Sequence, residues 1–416
     1  MTKWALVLLA VGFLGMAASA AWASGMREGG GNAAASGGPL SADKAQGPTG
    51  PVAADGTGGV RDSPADLFPA KVAPAYATGF SVAYHDTYKV VRVTHPWPGA
   101  TTGFEYLLVE RGTAAPAGYP GAIRVTVPVR SVVALSATYL AEIGMLGEMA
   151  TLKGIQRAAY VFSRHIRSSA ARGEIAQVGE GAATNIELLV ALRPDVVFAV
   201  GSGGAGELYP KLLEAGLPVV LDGDWAERTP LGRAEWIKFI ALFYDKEREA
   251  DTLFAAVAAE YNRLAALAAK APDRPTVFVN APWQGSWGMP GGKSYVAALL
   301  RDAGADYLWA DSDATGTLFL SLEAVIDRAA DADYWLNTGG YHSRSDALAV
   351  DPRFARFRAF RRDELYNNNA RETPEGGSDY WESGPAQPQV VLADLIKIFH
   401  PGLLPDHELY YYRRVK

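Results

Sequence analysis

The stretch Lys246–Lys270, KEREADTLFAAVAAEYNRLAALAAK, constrains the rest of the chain more than any other. Its apolar residues Leu253, Phe254, Val257, Tyr261, Leu264 and Ala268 recur at the spacing of one helical face. Asp245 is placed to cap the helix, and Glu247 and Glu249 put negative charge in its first turn. Pro272 and Pro275 stop it. At 1.5 Å per residue it runs about 37 Å, about one domain diameter. Alternating strand and helix patterns lie on both sides. The pattern predicts a rigid rod between two α/β lobes; an ordinary long surface helix within one domain is the alternative.

A length of 416 residues suits two domains. With 49% hydrophobic and 20% charged residues, the composition is that of a globular protein. A formal charge of -6 leaves no basic excess to meet nucleic-acid phosphates. There are no cysteines, which excludes thiolate metal sites, disulfides, cysteine nucleophiles and lipid attachment at a signal-peptide cysteine. Lys3 precedes the apolar run Trp4–Met16, and both Ala18-Ser19-Ala20 and Ala21-Trp22-Ala23 fit a signal-peptidase site. Residues 1–23 are therefore expected to be a cleavable signal peptide, cut after Ala20 or Ala23, with an uncleaved anchor as the alternative. Residues 24–65, rich in Gly, Ala and Pro, are expected to form a disordered leader.

Folded material follows. Phe80–Tyr84, Lys89–Thr94, Glu105–Glu110 and Ile123–Val129 are β-prone and predict a small antiparallel sheet. From Val132 the pattern changes to short strands alternating with helices, as in a parallel sheet with covering helices. Strands are expected at 132–135, 195–200 and 218–221, and helices at 137–146, 185–192, 207–215 and 231–244. After the rod the pattern restarts with strands at 276–280, 334–337 and 365–367 and helices at 294–303, 323–330, 351–357 and 388–399. The boundaries expected are 66–244 for an N-terminal α/β lobe, 245–271 for the bridging helix and 272–416 for a C-terminal α/β lobe. Glycine pairs stand at strand ends, Gly201 to Gly204, Gly291-Gly292 and Gly339-Gly340, where open α/β sheets face a ligand crevice.

Two segments echo each other across the rod. Asn185-Ile186-Glu187-Leu188-Leu189-Val190 and Ser321-Leu322-Glu323-Ala324-Val325-Ile326 each put one Glu in the first turn of a short helix leading to a strand. Helix capping accounts for both, with Thr184 and Glu187 fitting a capping box. The order of "LSATYLAEIGMLG", "NIELLVALRPDVVFAV", "AGLPVV", a bridging helix, "GGKSYVAALLRDAGA" and "SLEAVIDRAADADYWL" resembles the substrate-binding proteins of iron-complex and cobalamin ABC importers. The resemblance covers the chain from about Phe80 onward. It implies that Glu187 and Glu323 dock on arginines of a permease dimer served by its ATPase. It implies a metal chelate as the small-molecule ligand, a ferric siderophore ahead of cobalamin or haem, and a largely preformed cleft. It also implies a monomer in the periplasm and, with no cysteine, one that is not a lipoprotein. An envelope sensor module uncoupled from transport is the alternative.

Aromatic residues crowd the C-terminal half. Trp283 and Trp287 sit in APWQGSWGMPGGKSY, directly after a strand, and with Tyr295 are expected to line the cleft. Trp309 and Trp335 are expected in the core. The long polar loop 367–382 offers Arg371 to the carboxylates of an anionic chelate, with Tyr380 and Trp381 beside it. Trp225 and Glu227, after the strand at 218–221, are expected to face the cleft from the other lobe. The six histidines show no ligand spacing, so no metal site and no resident cofactor are expected; any metal enters inside a chelate. No G-x-S-x-G elbow, P-loop or H-E-x-x-H motif occurs, and no enzyme is expected.

Overall fold

The structure is a computed structural model that describes residues 66–204 and 207–416. The expected signal peptide and the expected leader, residues 1–65, lie outside the described residues. Among the described residues no helix is long and apolar enough to cross a membrane.

Strands β1 (Phe80–His85), β2 (Tyr88–Val93), β3 (Phe104–Glu110) and β4 (Ile123–Val127) form one sheet in sequence order. The first three pair antiparallel, as their short connections allow, but β4 runs parallel to β3. The expected all-antiparallel sheet is thus corrected. The stretch 111–122 is long enough to carry the chain back to the start of β3, which a parallel pair requires.

The N-terminal lobe is built on β5 (Val132–Ala134), β6 (Leu152–Ile155), β7 (Ala176–Gln177), β8 (Val196–Ala199) and β9 (Val219–Leu221). All pair in parallel, in the order β7-β6-β5-β8-β9. The chain leaves β5 first to one side and then to the other, so the sheet has a switch point between β5 and β8. Strands β6 and β7, with helix Arg164–Ala171 between them, escape the sequence pattern because they are too short and too polar to show a period.

The helix expected over 231–244 is two helices, Pro230–Ala234 and Trp236–Ala241, with a break at Glu235. That fully buried carboxylate accepts the backbone N–H groups of Ala75, Tyr76 and Ala77 and meets Lys238 at 3.0 Å. The bridging helix spans Glu247–Ala268 and buries Phe254, Val257, Tyr261, Leu264 and Ala268. Its N-cap is Lys246, without a side-chain bond; Asp245 instead has a positive φ and binds Lys89 at 2.7 Å. Nor is it a bare rod. It lies along helix Trp236–Ala241 on one side and helix Pro388–Phe399 on the other, so its apolar face is shared between lobes.

The C-terminal lobe repeats the plan. Its main sheet holds β10 (Thr276–Val279), β13 (Asp306–Tyr307), β15 (Tyr334–Leu336), β16 (Leu365–Asn367) and β17 (Arg413–Arg414), in the order β13-β10-β15-β16-β17. Only β17 is antiparallel, and the switch point falls between β10 and β15. A second, antiparallel sheet joins β11 (Pro282–Trp283), β12 (Ser286–Pro290) and β14 (Thr317–Leu320). Between the two sheets Phe278, Trp287, Trp335, Phe354 and Phe357 pack ring on ring. Trp335 is in the core as expected, as is Trp309.

Candidate functional site

The two switch points face each other across the line where the lobes meet. After β5, Ser136 accepts from Thr138 N at 3.4 Å and starts helix Ala137–Met145, which carries Tyr139 and Glu142 into the interior. After β9 come Asp222 and Asp224, both buried. Thr229 caps the helix that carries Arg233. Arg233 Nε lies 2.7 Å from Asp224 Oδ2, and its guanidinium stands 5.5 Å from the ring centre of Tyr295 in the other lobe. Tyr380 packs edge-on against Tyr412, whose hydroxyl donates to Asn337 Oδ1 at 2.9 Å, at the end of β15. Polar groups of the two lobes thus gather where the lobes meet.

Part of this chain is incomplete. Asp222 Oδ1 accepts from Asp224 N at 2.9 Å, but its Oδ2 has no hydrogen-bond partner among the described residues. The Tyr139 hydroxyl has none either, and both side chains are 0% exposed. Burial first, then the charges of Asp222 and Asp224, push the Glu142 carboxyl well above the usual carboxylate range. Burial and Asp224 do the same to Asp222. Native proteins pair buried polar atoms with few exceptions, and the exceptions gather where something else binds.

The crevice is also shut by a strap from the C-terminal lobe. The Glu382 carboxylate accepts Phe162 N at 2.6 Å and Ser163 N at 3.2 Å. Burial pushes that carboxyl up to about 7. Gly377 lies so close to the Val161 carbonyl that a Cβ there would stand 2.6 Å from its oxygen. Arg371 is held by Asp379 at 2.5 Å and stacks between Phe162, at 4.9 Å, and Tyr410, at 4.2 Å. Beside the strap a depression of about 420 Å³ is lined by Leu140, Met145, Met149, His165, Glu382 and Gln387 among others. The lobes meet by direct side-chain and backbone contact, in contrast to the preformed cleft expected.

The candidates from the sequence fall into distinct places. Tyr295 and Tyr380 are in the interlobe cluster. Trp225 is next to Asp224, half-buried, with a buried indole N–H that has no partner among the described residues. Trp283 is half-buried in the β11–β12 hairpin, and Trp381 is 48% exposed against the Tyr380 ring. Three differ from expectation. Trp287 is core: it is fully buried, donates to the Val279 carbonyl at 2.9 Å, and lies between two sheets because β12 turns that face inward. Glu227 is a structural acceptor, taken up by Thr78, Gly79 and Trp236. Arg371 already has its carboxylate in Asp379.

Glu187 and Glu323 are exposed in the first turns of helices Ile186–Leu192 and Leu322–Ala329. The caps are Asn185, accepting from Leu188 N, and Ser321, accepting from Ala324 N; Thr184 does not cap. Glu323 also meets Arg353 at 2.9 Å. Tyr139, Glu142, Arg233 and Glu382 were missed by sequence reasoning. Glu142 alone left a trace, as a lone carboxylate in the apolar run ATYLAEIGM. Among the described residues no group of three or more His, Cys, Asp or Glu could hold a metal ion.

Two lobes of parallel sheet, joined by one helix and meeting at their switch points, define a bilobal solute-binding fold. The chain belongs to the periplasmic binding protein family, whose sequence model matches residues 132–371. The match begins at β5 and stops before the strap, so the four-stranded sheet and Glu382 lie outside it.

The chain is similar to two uncharacterized lipoproteins of Methanocaldococcus jannaschii. They are 26% and 27% identical to it over 360 and 329 residues, covering 81% and 76% of this chain and 84% and 81% of theirs. In fold it is similar to a possible iron-binding, periplasmic solute-binding protein of Staphylococcus epidermidis, at a TM-score of 0.51 and 18% identity, over 65% of this chain and 98% of that one. It is likewise similar to a periplasmic heme binding protein of Pseudomonas aeruginosa, at 0.51 and 20%, over 66% and 94%. An ABC-type Fe3+-hydroxamate transport system protein of Saccharomonospora viridis matches at 0.50 and 19%, over 66% and 94%. The lipoprotein names overturn the expectation of a free periplasmic protein that is not a lipoprotein. That expectation rested on the absence of cysteine, which removes one attachment chemistry and does not by itself make a chain free.

Proposed function

We propose that this chain is the solute-binding component of an ABC importer and that it takes a metal chelate between its lobes. A ferric siderophore is preferred over haem or cobalamin as the cargo. The observation that carries this reading is the interlobe cluster, where Asp222 Oδ2 and the Tyr139 hydroxyl stand buried and without a partner among the described residues, Tyr139 after β5 beside the switch point and Asp222 after β9. Ligands of open α/β sheets bind at such points. The similarity in fold to a possible iron-binding protein, a heme binding protein and an Fe3+-hydroxamate transport system protein supports the chelate class.

In this reading the strap releases, the lobes part along the bridging helix, and the chelate enters beside Tyr295, Tyr380 and Trp225. The lobes then close and present Glu187 and Glu323, one on each, to the two subunits of a permease. The chain makes and breaks no covalent bond, holds no resident cofactor and acts as a monomer. Intrinsic tryptophan fluorescence tests the capture step, titrated with ferric siderophores, haem and cobalamin against their metal-free forms. Free tryptophan corrects for absorption by the ligand. Saturable quenching by one class at micromolar concentration, weakened by Trp225→Phe, is the expected result. A folded protein that none of them quenches overturns the reading.

A further inference from the structure

The chemistry of the interlobe cluster says more about the ligand than that it is a chelate. Three carboxyl groups, Glu142, Asp222 and Asp224, are buried together with one guanidinium, that of Arg233. Asp224 and the Tyr295 ring already engage that guanidinium, at 2.7 Å and 5.5 Å. The groups left over are Asp222 Oδ2, which only accepts when that carboxyl is ionised, and the Tyr139 hydroxyl, which can turn to suit a neighbour. A positively charged hydrogen-bond donor satisfies both groups at once, and its charge favours the ionised form of carboxyls that burial alone disfavours.

We infer that the ligand presents a cationic arm, an ammonium or guanidinium, to Asp222 and Tyr139 of the N-terminal lobe. The inference rests on the chelate-capture reading and narrows it. An anionic chelate has to pull Arg233 away from Asp224 and then face Glu142 and Asp222 at close range, where like charges repel. The other acidic candidates near the crevice are spoken for: Glu227 by Thr78, Gly79 and Trp236, Glu382 by Phe162 and Ser163. Arg371 is tied to Asp379 and stacked on two rings, so it gives an anion little.

The test uses one chelate core in two charge states. Ferrioxamine B carries a free ammonium, and its N-acetylated form lacks that charge with the same iron centre; a ferric tricatecholate supplies an anionic comparison. Calorimetric titration of the full-length protein at pH 7 gives the three affinities. The ammonium form is expected to bind at least about tenfold tighter than the acetylated form, as for a close charge pair formed out of water. Asp222→Asn, which can keep the bond to Asp224 N, is expected to bring the affinity of the ammonium form down to that of the acetylated form, so that the ratio is lost. Tyr139→Phe is expected to weaken the ammonium form severalfold and serves if the first variant does not fold. Equal or tighter binding of the acetylated form or of the tricatecholate overturns the cationic arm and leaves chelate capture standing. Absence of binding by all three overturns both.

Discussion

Glu382 is the contact through which pH should set how tightly the lobes shut. Its carboxylate crosses from the C-terminal lobe to the backbone N–H groups of Phe162 and Ser163, at 2.6 and 3.2 Å, and is 6% exposed. In the shut form burial outweighs those two donors and raises the carboxyl from its ordinary 4.5 to about 7. When the lobes part, the group returns to water and to the lower value. The shut form therefore binds the proton more tightly, and shutting takes up a proton between pH 4.5 and 7. The sign follows: closure is disfavoured above pH 7 and becomes easier as pH falls through 7, with the gain complete below 4.5. The gap between 4.5 and about 7, at about 1.4 kcal/mol per tenfold in proton affinity, caps the effect at about 3 kcal/mol.

Glu382→Gln removes the titration and keeps one acceptor for the strap. The chain has no cysteine, so single thiols can be placed at Ala191 and Ala324, exposed on the two short helices that also carry Glu187 and Glu323. Energy transfer between dyes on them then reads lobe separation from pH 8 to 5. The native protein is expected to shift toward the shut form as pH falls, and Glu382→Gln to lose the larger part of that shift. Glu142 and Asp222 remain in both proteins, so the difference between the two curves belongs to Glu382. Superimposable curves refute the reasoning, as does a native protein that shuts as pH rises.

Other tests address docking and the anchoring of the bridging helix. With Glu187→Ala and Glu323→Ala, transport in cells carrying the cognate permease is expected to fail while ligand affinity in solution stays unchanged; a fall in affinity would place these residues in the crevice instead. Lys89, fully buried, donates to the Leu242 carbonyl, Asp245 and Glu247 at 2.8, 2.7 and 2.5 Å. Lys89→Met leaves two carboxylates unanswered and is expected to cost about 3–5 kcal/mol in denaturant unfolding at pH 7. The double change Lys89→Met with Glu247→Gln should recover part of it, and equal loss in both proteins would refute the pairing.

What could be read from the sequence was whatever a short window contains. The bridging helix shows as a long periodic face, and Phe254, Val257, Tyr261 and Leu264 are buried as that face requires. The alternation of strand and helix from Val132 onward gives the two lobes. Asn185 and Ser321 each accept a backbone N–H three residues on, so the twin helix starts are visible locally, although the first is capped by Asn185 and not by Thr184. Where a window holds two answers, the distant partner decides. Trp287 stands among Gly and Pro like a loop aromatic, yet its indole N–H finds the Val279 carbonyl and its ring finds Phe278 and Trp335. Asp245 precedes a helix like a cap, yet Lys89, far upstream in β2, takes it.

The crevice is the extreme case of that dependence. Its members, Tyr139, Glu142, Asp222, Arg233, Tyr295, Tyr380 and Glu382, come from five separate segments, and each has an unremarkable local reading. Glu142 is a polar residue in an apolar helix and Arg233 is a basic residue near a helix end. Their meaning arises only when β5 and β9 set Glu142 and Asp222 side by side and the bridging helix brings Tyr295 over Arg233. Burial then does what no spacing encodes: it raises the Glu142 and Asp222 carboxyls and leaves Asp222 Oδ2 and the Tyr139 hydroxyl without a partner. A core evolved for stability alone would gain by replacing such groups with apolar ones of like shape. Their presence where two lobes close argues that something from outside the chain completes them.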